Sequence, residues 1–178
     1  ELAASEASPV PLIALLVHPL VGAGEGRAAW LENARALDLE LRGPRPRPGL
    51  GPVDVAVAKL AKRGRGAGIA EWWQGVADIL APVLALPVDA ALAEALDVLA
   101  AAGEALCGPH LWGEAAGRAL ATWMEELRDA SAAIGTRLAR ADLPQVLRDA
   151  MDRVPVRPPW GGHPRIAIYG LLEARMSR

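Results

Sequence analysis

A chain of 178 residues with 52% hydrophobic and 22% charged side chains is long enough to enclose a core and too apolar for extended disorder. Its one cysteine, Cys107, excludes a disulfide framework and a cysteine-held iron-sulfur cluster within these residues, and implies a reducing compartment, the cytoplasm. A net charge of -2 gives no overall pull toward nucleic acid or acidic membranes, and no stretch is apolar enough for a signal peptide or a membrane span.

In chain order, Ser8-Pro9 predicts a helix start, with serine as N-cap and proline at the first helical position. Leu12, Leu15, Leu16 and Leu20 form its buried stripe, and Pro19 ends it near His18. Gly22 to Gly26 is glycine-rich ahead of a helix, but no Lys-Ser/Thr follows and no strand precedes it, so it is not a phosphate loop. A second helix is predicted from Arg27 to Leu41, with Leu31, Ala34, Leu37 and Leu41 on one face and Gly43-Pro44 as its stop. An extended linker follows from Pro44 to Pro52. Val53, Val55 and Val57 alternate as a strand would, whereas Ala56, Lys59, Leu60 and Lys62 suit a helix; the segment reads as helix, broken by Gly64, Gly66 and Gly68.

Between Arg42 and Arg65 lie Arg42, Arg45, Arg47, Lys59, Lys62, Arg63 and Arg65 against a single acid, Asp54, so this stretch carries +6 and the remainder -8. Two readings stand: a solvated, proline-stiffened loop with its neighbouring helix, or a surface that contacts phosphate. On the second reading Arg42, Arg45, Arg47, Lys62, Arg63 and Arg65 are the candidate DNA contacts. Trp72 and Trp73 begin the next helix and do not interleave with the arginines, so base stacking is not signalled.

That next helix runs from Ile69 to about Leu80 and ends or kinks around Pro82, with Trp72, Trp73, Val76, Ile79 and Leu80 packing inward. Asp89 caps a helix to Leu106 with Leu92, Leu96, Leu99 and Leu106 at helical spacing, closed by Gly108-Pro109. Another runs from Glu114 to Ala130, burying Leu120, Trp123 or Met124, and Leu127; a short one spans Leu143 to Met151. No strand is expected before Arg165 to Tyr169, so an all-helical body leads into one apolar strand ended by Gly170. Cys107 and His110 have a metal-like spacing without a second pair, which reads as a helix-end turn. No catalytic residue and no metal ligand emerges. The opening on Glu1 and the close partway through Leu171-Leu172-Glu173-Ala174-Arg175 lead us to expect that both ends are cut.

Four blocks carry a family resemblance: LIALLVHPL (Leu12 to Leu20), LELRGPRPRPGL (Leu39 to Leu50), LWGEAAGRALATWMEEL (Leu111 to Leu127) and VRPPWGGHPRIAIYGLLEAR (Val156 to Arg175). In this order they resemble an internal segment of AddB, in its alphaproteobacterial form, a subunit of double-strand break repair helicase-nucleases. Val17 stands where that family often has lysine before His-Pro, and Met176-Ser177 where it has Leu-Gln. The resemblance implies a mainly α fold: residues 1–150 as the helical (2B-like) insertion of a superfamily-1-like helicase module, and residues 151–178 as a linker and the first strand returning to a RecA-like sheet. It implies that Gly170, Glu173 and Arg175 lie at a helicase motif, and that partners are DNA and an AddA-type helicase-nuclease subunit, with no membrane. ATP, magnesium and an iron-sulfur cluster serve the family outside these residues. The competing class is a stand-alone helical protein-interaction module.

Overall fold

The structure, a computed structural model, describes residues 1–43, 46–66 and 68–156. Among them are seven helices: α1 (Pro9–Leu16), α2 (Arg27–Leu41), α3 (Leu50–Lys62), α4 (Ile69–Leu84), α5 (Leu92–Cys107), α6 (Glu114–Ile134) and α7 (Leu143–Met151). Two short strands, β1 (Asp89–Ala91) and β2 (Arg137–Ala139), pair antiparallel with Ala90 opposite Leu138. The protein is mainly α, as the periodicity predicts, with a small ribbon that the periodicity does not predict.

The ribbon corrects two expectations, that no strand precedes Arg165 and that Asp89 caps a helix. Asp89 lies in β1, where its carboxylate accepts a 2.7 Å bond from Arg137 Nε. Helix α5 starts at Leu92, whose N–H donates to the Thr136 carbonyl at 2.9 Å, so the chain leaving α6 satisfies a donor that a capping side chain was expected to satisfy.

Helix α1 has Ser8 at its N-cap and Pro9 in its first turn, but the Ser8 hydroxyl makes no capping bond. Leu12 and Leu16 are fully buried; Leu20 is exposed because the helix stops at Leu16. The Arg27 guanidinium then ties down the connection to α2 by donating to the carbonyls of Val17 and Val21. Gly22 sits at φ +60, and a Cβ there would lie 2.4 Å from the Trp30 ring, so this glycine is needed for packing.

Helix α3 begins at Leu50, which shortens the expected Pro44 to Pro52 linker; Pro52 sits in the first turn, where its missing N–H has no intrahelical partner to lose. Val53, Ala56, Val57 and Leu60 are buried at spacings of three, four and seven, while Val55 is 56% exposed. Burial thus selects the helix over the valine alternation. Helix α4 continues through Pro82 to Leu84, since a proline so near the end disturbs only the last turn. Helix α6 extends past Ala130 to Ile134 and closes on Gly135 in the left-handed region, with Gly135 N–H bonded to Ala132 and Thr136 N–H to Ser131. Leu120, Trp123, Met124 and Leu127 are only half-buried there.

Among the described residues the buried apolar side chains form two clusters. The larger joins α1 to α4 through Leu12, Leu16, Leu37, Val57, Trp73 and Leu80; the smaller joins β1, α5 and α7 through Leu86, Ala90, Leu92, Leu96 and Leu143. An apolar cleft of about 430 Å³ lies at their seam, lined by Leu15, Leu80, Val83, Leu99, Leu106 and Leu147. Among the described residues no helix is long and apolar enough to cross a membrane.

Candidate nucleic-acid interface

The basic stretch is positioned by a helix ending. Gly64, at φ +65, turns the chain out of α3: its N–H bonds the Ala61 carbonyl at 3.0 Å, and the Arg65 N–H bonds the Leu60 carbonyl at 3.0 Å. This pair of bonds is the Schellman closure, which only a residue at ease with positive φ permits, and it presents Arg63 and Arg65 on either side of the glycine. Lys59 and Lys62 occupy the last turn of α3, where cations complement the carbonyl end of the helix.

Facing this turn is one side of α2. A groove of about 1050 Å³ runs between them, with Glu32, Arg35, Leu39 and Glu40 on the α2 side and Leu60, Arg63, Gly64, Arg65 and Gly66 on the other. Arg63 donates to Glu40 at 2.9 Å across the groove, and Arg42 donates to Asp38 at 2.6 Å along α2. The hydrogen bond to Asp38 raises Arg42 above its usual value, so that charge is locally compensated. Arg35, Arg47, Lys59, Lys62 and Arg65 carry no ion pair among the described residues.

The structure therefore sorts the candidates. Lys62, Arg63 and Arg65 sit together at the end of α3, with Arg63 and Arg65 in the groove wall. Arg42 stands apart at the end of α2, Arg47 lies in the connection beyond it, and both are exposed. Arg35 was missed in sequence, since it precedes the basic stretch and joins it only through the packing of α2 on α3. Its spacing from Glu32 and Leu39 on one helix face was the available signal. Arg45 and the motif candidates Gly170, Glu173 and Arg175 lie outside the described residues, as do His163 and the Arg165 to Tyr169 strand.

The indoles near the groove belong to the core. Trp30 and Trp72 meet edge to face, centroids 5.4 Å apart at 82°, and Trp73 lies 6.3 Å from Trp72. Trp30 Nε1 donates to the Leu16 carbonyl at 2.8 Å and Trp73 Nε1 to Asp54 at 2.7 Å. The packing reading of Trp72 and Trp73 holds, and stacking on bases is not available to them.

Elsewhere, Cys107 ends α5 in a buried position and a short 3-10 turn, Gly108–His110, follows, in agreement with the helix-end reading. Among the described residues no three His, Cys, Asp or Glu side chains converge as a metal site. Compared with protein-family profiles, curated proteins and solved structures, the chain gives no significant match.

Proposed function

We propose that this chain is a helical segment of an AddB-type subunit, in a heterodimeric ATP-dependent helicase-nuclease that processes DNA double-strand ends for recombinational repair. Its part there is to contact the DNA backbone. The family assignment is supported by the four sequence blocks, above all VRPPWGGHPRIAIYGLLEAR. The DNA role is carried by one observation: Arg35 and Arg65 line a groove without an acidic partner, with Lys59 and Lys62 beside it. In this reading the helices are a 2B-like insertion, Gly170, Glu173 and Arg175 act at a helicase motif, and the partner subunit is of the AddA type.

Fluorescence anisotropy of labelled single-stranded DNA tests it. Wild type is expected to bind weakly, with affinity falling steeply in salt; replacing Arg35, Arg47, Lys62, Arg63 and Arg65 by alanine is expected to flatten the slope. Equal affinities and equal slopes would leave the basic stretch a solvated surface. A second reading, a stand-alone helical interaction module, is favoured by α6, where Ile134 is 80% exposed and Leu120, Trp123 and Leu127 are half-buried. The coding sequence beyond Arg178 separates the two: a strand followed by a Gly-Leu-Asn-Glu-Gly-like motif belongs to the helicase-nuclease, and an immediate stop to the module.

A further inference from the structure

The groove holds carboxylates that a surface built only to retain phosphate would lack. Glu40, on α2, has a side chain 18% exposed and pairs with Arg63, whose side chain is 61% exposed. Glu32 lines the same groove with no ion pair among the described residues. We infer that the groove grips the phosphodiester backbone of one nucleic-acid strand through Arg35 and Arg65, and that Glu40 sets the strength of the grip by holding Arg63 back. This rests on the phosphate-contact reading above and adds its ligand chemistry and its regulation.

Arg63 and Arg65 leave the Gly64 turn only two residues apart, yet their charges are differently committed. Arg65 is open to an incoming phosphate. Arg63 has one N–H on Glu40 and a side chain 61% exposed, so a phosphate can recruit it only by competing with the Glu40 carboxylate for that N–H. The groove therefore answers a passing strand with both attraction and repulsion. Such a contact is weak and quickly reversed. Among the described residues no aromatic ring lines the groove, and the neighbouring indoles pack against the core, so the groove offers no base stacking. The recognised feature is the charged backbone.

A fluorescent 20-mer of thymidine, titrated at several salt concentrations, tests this with wild type, Glu40→Gln, Arg63→Ala and the double variant. Glu40→Gln is expected to bind about three- to fivefold tighter, the worth of releasing one exposed ion pair. It should also steepen the log-log salt slope by about 0.7, the single-strand increment for one further phosphate. The gain should shrink in the Arg63→Ala background, since the two residues act as a pair. Arg63→Ala alone should weaken wild type less than Arg65→Ala does, which keeps the test open should Glu40→Gln fold poorly. A 20-mer of adenosine should bind within about twofold of thymidine, as backbone contact requires. If Arg35→Ala and Arg65→Ala weaken binding while Glu40→Gln changes neither affinity nor slope, the role of Glu40 is overturned and the phosphate reading stands. An Arg63→Ala loss as large as that of Arg65→Ala overturns it equally. If wild type fails to bind at low salt, or Arg35→Ala and Arg65→Ala have no effect, both fall.

Discussion

At Cys107 burial raises the thiol above its ordinary value of 9.0. Raising this value disfavours the thiolate in the fold, so the associated stability is present below pH 9 and declines as rising pH ionises the unfolded chain first. Iodoacetamide at pH 8 should label the native chain at least about tenfold more slowly than the urea-unfolded chain, read by mass spectrometry. Gly22 makes a sharper case. Alanine there meets both a positive φ and the Trp30 ring, and Gly22→Ala should cost about 1–3 kcal/mol in urea unfolding. Asp54→Ala strands the Trp73 N–H, 3% exposed as a residue, and should cost about 1–2 kcal/mol.

Among elements, the ribbon is held to the helices by Arg140. Its guanidinium donates to the carbonyls of Leu84 and Leu86 at 3.1 and 3.0 Å and to Glu6 at 3.1 Å, so one side chain joins the end of α4, the residue after β2 and the N-terminal segment. Arg140→Ala should lose about 2–3 kcal/mol and Arg140→Lys most of that, because an ammonium cannot span the two carbonyls and the carboxylate together. Helix α6 has only Ser131 fully buried, whereas α4 buries Ile69, Trp73, Val76, Leu80 and Val83. Native-state hydrogen exchange should therefore find α6 opening well before α4; equal protection would contradict this ordering. The same contrast explains what was legible. Helices α2, α4 and most of α5 show in sequence because leucines and other apolar residues recur on one face. The ribbon does not, because three-residue strands have no period and Asp89 meets Ala139 only through the fold. Helix α3 stayed ambiguous until burial distinguished Val55 from Val53 and Val57.

For the whole molecule, the basic stretch could be counted in sequence, but which cations are free could not. Asp38 and Glu40 on α2 neutralise Arg42 and Arg63, and the cross-groove pairing with Glu40 exists only once α2 packs on α3. Arg35 became visible for the same reason. The seam between the two apolar clusters invites a filling substitution: Ala102, half-buried on the cleft wall, changed to leucine should add about 0.5–1 kcal/mol. Gly103 beside it offers less room, since a Cβ there would lie 2.9 Å from Leu111 Cδ2 and would push that methyl aside. Purified protein should show no DNA-stimulated ATP hydrolysis, because the sequence carries no phosphate loop; turnover above a contaminant control would overturn that expectation.

The β1–β2 register also sets how the chain bears load. The path enters the ribbon at Asp89 and leaves it at Ala139, and these two residues face each other. Tension arriving through α4 and α7 therefore unzips the ribbon from its mouth, one rung at a time, instead of shearing its rungs together. The Val88 to Arg140 bond and the Arg140 clamp are the first to take the strain. Behind them the whole excursion from Leu92 to Thr136 is slack in waiting. Once the ribbon parts and α5 and α6 unravel, it can lengthen the molecule by up to about 3.3–3.6 Å per residue.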